Sequence, residues 1–202
     1  MRRAPRIWLI VAVALGVLVV PFWLFLRTDS QSFRMRAGSM EPTFEPEERF
    51  TVNKEAYDEE RPERYDIVVF HPPEGALEGT CGKQGAFGVL CPKPTGGAAD
   101  VTFLKRVVGL PGDEVRIVEG KAVIDGRRLA EPYANLGACG PETCTFRGTI
   151  TVPPDHYFVM GDNRGASDDS RFWGPIPGDQ IVGRVDDCWP LGLRCTEDDR
   201  TG

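Results

Sequence analysis

The sequence predicts a mainly β, loop-rich domain behind a single apolar helix. Three observations carry this. Short segments rich in β-branched and aromatic residues recur along residues 65–185, bounded by Gly, Pro and Asp. The 23 glycines and 17 prolines are spread throughout rather than gathered in one linker. No stretch beyond the N-terminus carries a helical apolar period.

The apolar helix comes first. "IWLIVAVALGVLVVPFWLFL", residues 7–26, contains no charge. Twenty helical residues span roughly 30 Å, the thickness of a bilayer's hydrocarbon. Trp8 and Trp23 stand near its two ends, as interfacial aromatics do. A cleaved leader would be shorter and followed by small residues; this run exits through "RTDSQSF", so an uncleaved transmembrane anchor is expected. Arg2, Arg3 and Arg6 place residues 1–6 in the cytoplasm, although Arg27, Arg34 and Arg36 beyond the span keep the charge asymmetry small. Residues 27–34 are expected to be a linker, 35–186 an extracytoplasmic β-domain and 187–202 a C-terminal tail.

The expected strands are "YDIVVF" (65–70), "VTFLKRVVG" (101–109), two within "DEVRIVEGKAVIDG" (113–126), "GTITVP" (148–153), "HYFVMGD" (156–162) and "QIVGRV" (180–185). The central "EGK" reads as a hairpin turn between "VRIV" and "AVID". Residues 71–100 form a long excursion between two strands.

Six cysteines fall into three local pairs, Cys81 with Cys91, Cys139 with Cys144 and Cys188 with Cys195. In loop-like contexts after a membrane span they read as disulfides in an oxidising compartment. The zinc alternative rests on C-x4-C alone, with no companion C-x-x-C or H-x3-H, so no metal site is expected. Net charge is −6 with both signs interspersed, and no basic stripe points to nucleic acid.

"MRAGSMEPTF", residues 35–44, raises the question of what could activate Ser39. The G-x-S-x-G elbow is absent, because Glu41 stands where its second glycine would be. The two histidines, His71 and His156, sit before a proline pair and at a strand start. Lysine is the better partner. Of Lys54, Lys83, Lys93, Lys105 and Lys121, only Lys105 lies inside an apolar strand, where alternation places Val101, Phe103 and Val107 on its face. Burial lowers a lysine pKa and would let the neutral amine take a serine proton. On strand position alone, a snorkelling or ion-paired Lys105 is an equal reading. The cluster "GDNRGASDDSRFWGPIP", 161–177, which follows an apolar strand with acids, arginines and hydroxyls, favours the base.

"SMEPT", "YDIVVF", "FLKRVVGLPGD" and "GDNRGASDDSRFWG", in that order behind an anchor, resemble the motif boxes of type I signal peptidases. The resemblance covers residues 35–185. It implies a pair of antiparallel sheets, Ser39 as acyl-accepting nucleophile and Lys105 as general base, with Ser167 positioning the lysine. Asp162, Asp169 and Arg171 would form the charged network behind the site. Met35, Gly38, Met40 and Leu104 would contact substrate, and the Ser39 N–H would be one oxyanion donor. Ala37 stands where some members carry a hydroxyl as second donor. The implied substrates are secretory preproteins cut after small residues at the bilayer, by a monomer requiring no metal or organic cofactor. Two other readings are a self-cleaving Ser–Lys protease of the same superfold, which the anchor argues against, and a disulfide-stapled, membrane-tethered binding module.

Overall fold

A computed structural model of the chain describes residues 30–78, 81, 88–92, 96–140 and 144–188. The anchor expected at 7–26, the tail after 188 and the Cys188–Cys195 pairing lie outside the described residues. Among the described residues no helix is long and apolar enough to cross a membrane. From Gln31 onward they belong to one compact unit.

The strands are β1 (Ser30–Arg34), β2 (Arg49–Asn53), β3 (Ile67–Phe70), β4 (Phe103–Gly109), β5 (Glu114–Val118), β6 (Lys121–Ile124), β7 (Arg127–Arg128), β8 (Ile150–Thr151), β9 (His156–Met160), β10 (Ile176–Pro177) and β11 (Ile181–Cys188). A seven-stranded sheet has the order β1-β2-β11-β3-β4-β9-β10, and a four-stranded sheet the order β7-β6-β5-β8. From β2 to β10, and throughout the smaller sheet, neighbours pair antiparallel.

Each expected strand forms, and the "EGK" turn is where the sequence puts it. Glu119 and Gly120 both have positive φ (54° and 78°), the requirement of a two-residue hairpin matched to strand twist. Asp125 and Gly126 repeat the device between β6 and β7. Four strands were not foreseen. β1, "SQSFR", has one apolar residue and adds to the sheet edge instead of serving as linker. β2 buries only Phe50 and Val52 between polar neighbours, and β7 and β10 are two residues each. Pro177 is tolerated because β10 is an edge strand. The one α-helix among the described elements, α1 (Ser170–Trp173), is a single turn capped by Asp169, too short to show a period.

All four residues of β3 are buried because both faces of the large sheet are covered. Ile67 and Val69 join Met35, Met40, Phe44, Phe50, Val52, Leu104 and Val185 in one cluster. Val68 and Phe70 join Val107, Tyr157, Val159, Trp173 and Ile176 in another. A third cluster, with Val115, Ile117, Ile124 and Ile150 against Val108, Phe158 and Met160, packs the small sheet on the large one. Each such side chain contributes about 1.5–3 kcal/mol of transfer free energy. Cys81–Cys91 and Cys139–Cys144 are disulfides, as paired in the sequence.

Candidate active site

Ser39 sits in a single 3-10 turn, Gly38–Met40, and is 8 % exposed. Apolar anchors on its C-terminal side fix the turn, since Met40 and Phe44 are fully buried in the core and Phe44 N–H donates to Met40 O at 3.0 Å. The loop after β9 holds it from the other side. Asn163 N–H donates to Ser39 O (3.1 Å), and Asn163 Nδ2 donates to Gly38 O (3.0 Å).

Lys105 projects from β4, 4 % exposed. Its Nζ lies 2.9 Å from Ser39 Oγ and donates to Leu104 O at 3.1 Å. The Phe103 ring centroid is 5.3 Å from the amine, while Val107 packs into the core. Val101, expected beside them, precedes β4 and is exposed, because the strand begins only at Phe103. Burial pulls the Lys105 pKa down to about 8; Asp169, Asp168 and Asp162 oppose that fall, and Arg171 reinforces it. An amine so poised, in contact with a hydroxyl, can take its proton at neutral to mildly alkaline pH.

The polar cluster after β9 forms a satisfied network. Asp169 accepts from Gly161 N–H (3.0 Å), Ser167 Oγ (2.8 Å) and both Nε (2.8 Å) and Nη2 (2.9 Å) of Arg171. Burial alone would push its carboxyl up; the Arg171 guanidinium, helped by these hydrogen bonds, holds it below the usual carboxylate range. Ser167 therefore spends its hydroxyl proton on Asp169, and no hydrogen bond joins it to Lys105 among the described residues. Gly161 permits the close approach. A Cβ there would lie 2.2 Å from Ser167 Oγ and 2.5 Å from Ser39 O.

Asp162 is held in a fully buried, bidentate pair with Arg106 (2.9 and 2.7 Å), and Thr43 Oγ1 donates to the same carboxylate. Arg106 stacks 4.0 Å from the Tyr133 ring centroid, with Arg164 at 5.9 Å. Arg164 in turn pairs with Glu131 at 2.6 Å, again fully buried. Sequence reasoning placed Asp162, Asn163 and Arg164 in this polar cluster without their partners, and missed Arg106 and Glu131. Arg106 carried the same signal as Lys105, a cation flanked by apolar residues in one strand. Glu131 had none, and the pairings of Asn163 and Arg164 were not legible, because their partners come from segments distant in sequence.

A surface groove of about 740 Å³ runs over Ser39 and Lys105, lined also by Phe33, Met35, Ala37, Leu104 and Asp168. Met35 and Leu104, which the resemblance implied as substrate contacts, line this groove. Gly38 contributes no lining surface, and Met40 is an anchor in the core beneath, so neither reaches the groove. His71 and His156 are outside it, their Nδ1 atoms 3.0 and 2.8 Å from the carbonyls of Val101 and Pro154.

The geometry defines a class: an antiparallel β-protein with a serine hydroxyl touching a buried lysine amine on the floor of an open groove. The family model described as "Signal peptidase, peptidase S26" matches residues 6–189, and the chain belongs to this family. Among curated relatives, a probable signal peptidase I-2 of Synechocystis is 36 % identical over 149 residues, 74 % of this chain and 58 % of that protein. Signal peptidase I of Leptolyngbya laminosa is 37 % identical over 76 % of this chain and 66 % of its own length. The chain thus spans just under two thirds or less of these two relatives. Signal peptidase I V of Bacillus subtilis is 29 % identical over 90 % of this chain and 97 % of its own. A crystal structure of a signal peptidase I from Enterococcus faecalis aligns with TM-score 0.40 at 28 % identity, covering 62 % of this chain and 97 % of that one.

Proposed function

We propose that the chain is a membrane-anchored serine endopeptidase that removes signal peptides from secretory preproteins. The observation that carries the reading is the 2.9 Å contact between Ser39 Oγ and the Nζ of a buried Lys105 whose pKa is depressed to about 8. Membership of the signal peptidase family supports the substrate class.

In this mechanism neutral Lys105 takes the Ser39 proton as Oγ attacks the scissile carbonyl carbon. The Ser39 N–H stabilises the resulting oxyanion. Collapse leaves an ester on Ser39, and the departing amine carries away the proton held by the Lys105 ammonium. Water, deprotonated by the again-neutral Lys105, then attacks the ester carbonyl, and the Lys105 ammonium returns that proton to Ser39 Oγ as it leaves, freeing both the acid product and the serine. Asp162, Asp169 and Arg171 hold the loop behind the pair rigid, and Ser167 acts on Lys105 through Asp169 rather than by direct contact. Met35 and Leu104, bulky and facing the groove, limit the side chains admitted beside the scissile bond. The preprotein enters as an extended segment. Residues 7–26 tether the β-domain outside the cytoplasm, at the surface where such substrates are held, which raises their effective concentration.

The test is cleavage of a preprotein by the full chain in detergent or lipid. Wild type releases the mature protein, and Ser39→Ala lowers the rate by at least about a thousandfold. Equal cleavage by both would reject Ser39 as nucleophile; binding without cleavage by wild type would favour a tethered binding module.

A further inference from the structure

Asn163 crosses from the loop after β9 to the Ser39 turn and uses both its backbone and its side chain there. We propose that Asn163 is a positioning residue for the oxyanion donor: its side-chain amide fixes the Gly38–Ser39 peptide plane so that the Ser39 N–H is presented to the reacting carbonyl. The inference rests on Ser39 being the acyl-accepting group.

The Gly38–Ser39 bond is trans; only Glu41–Pro42 is cis among the described residues. In a planar trans peptide the carbonyl and the following N–H point in opposite directions. Whatever holds Gly38 O therefore aims Ser39 N–H. Two donors hold that oxygen, Asn163 Nδ2 at 3.0 Å and Glu41 N–H at 3.3 Å. Ser39 N–H itself meets no acceptor among the described residues, although the serine lines the groove. A donor left free beside the hydroxyl is what an incoming oxyanion requires.

The amide of Asn163 is oriented by this role alone. Turning it over would set Oδ1 against Gly38 O, acceptor against acceptor. In the observed orientation Oδ1 is buried with no partner. A buried acceptor left unpaired costs stability, and an apolar side chain would avoid that cost. The asparagine's gain is its donor to Gly38 O. Its backbone is fixed on both sides, with Asn163 N–H on Ser39 O, Ala166 N–H on Asn163 O and a bridge to Asn135. The amide thus approaches from a rigid support. Ala37, which lines the groove without a side-chain donor, makes the direction of the single backbone N–H more consequential.

The test uses the full chain with Asn163→Ala and the isosteric Asn163→Asp, whose carboxylate accepts but cannot donate. Preprotein peptide kinetics are normalised to the folded fraction. Loss of an aligned oxyanion donor predicts kcat down by about a hundredfold, with the aspartate variant at least as impaired. KM should stay within about twofold in both variants. In Asn163→Ala the acid limb of the pH profile, set by Lys105, should not move, whereas the added carboxylate of Asn163→Asp favours the Lys105 ammonium and moves that limb to higher pH. A merely structural Asn163 would lower Tm and leave the normalised kcat within about threefold of wild type, and that result overturns the proposal. So does a raised KM with kcat retained. If neither variant folds, nitrogen-15 NMR of the wild-type chain decides. The Asn163 side-chain amide protons should resist solvent exchange, and Ser39 N–H should shift when a substrate-derived peptide aldehyde adds to Oγ. An unprotected Asn163 amide overturns the proposal. Failure of wild type to cleave any preprotein is a different result, which rejects the proposed function and leaves the NMR measurement to judge the peptide geometry.

Discussion

Ser39 and Lys105 are 66 residues apart in sequence and in contact in the fold, and the chemistry of the pair depends on how few charges reach the amine. Asp169, Asp168, Arg171 and Asp162 are the charged groups acting on it. Asp168 differs from the others in lining the groove, and its side chain reaches solvent. Partial burial, together with the adjacent Asp169, pushes its carboxyl up to about 6. Above that pH its negative charge favours the Lys105 ammonium. Asp168→Asn removes the charge, so the Lys105 pKa should fall further. The acid limb of kcat/KM then moves to lower pH, and a pH–rate profile of the variant reads the shift; a limb moved to higher pH would contradict the assignment. Lys105 was legible in the sequence because a lone lysine within apolar β-branched neighbours is unusual. Ser167 was assigned to the lysine by its place in a motif, and the fold gives its hydroxyl to Asp169 instead.

At the scale of elements, β3, β4 and β9 were readable because "IVVF", "FLKRVVG" and "HYFVM" are apolar on both strand faces, and both faces are in fact covered. β1, β7 and β10 were not. They are held by neighbouring strands and edge position rather than by their own pattern, which no local reading can supply. The loop after β9 was readable as a polar network but not in its pairings. Arg106→Met would leave the buried Asp162 carboxylate without its bidentate partner. We expect a loss of about 3–5 kcal/mol, measured by denaturant unfolding, whereas exposed Arg128→Met should change stability by less than about 1 kcal/mol. Gly161→Ala tests the close approach directly. Its Cβ would collide with Ser39 O and Ser167 Oγ. Activity per folded molecule should therefore fall at least about tenfold, even where Tm drops only modestly. Replacing both cysteines of Cys139–Cys144 by serine should cost about 2 kcal/mol, since the closed loop is short.

At the scale of the whole molecule, the twenty uncharged residues 7–26 are proposed as the anchor of a β-domain whose groove presents Ser39 and Lys105. The proposed topology rests on that span and on the disulfides. Protease added to spheroplasts should degrade the region after residue 27 and spare residues 1–6, and full protection of the β-domain would reject that orientation. The central claim is that Lys105 works as a neutral base. The most direct measurement is kcat/KM against pH on a preprotein peptide, for the full chain and for Lys105→Arg and Lys105→Met. A folded-state pKa lowered to about 8 means the amine is charged below that pH and neutral above it, so wild-type activity should rise with pH through about 8. Both variants should be equally inactive at every pH, because a guanidinium with a pKa above about 12 keeps the positive charge but cannot accept the Ser39 proton. Substantial activity in well-folded Lys105→Arg would contradict the account and remove Lys105 from the proton transfer.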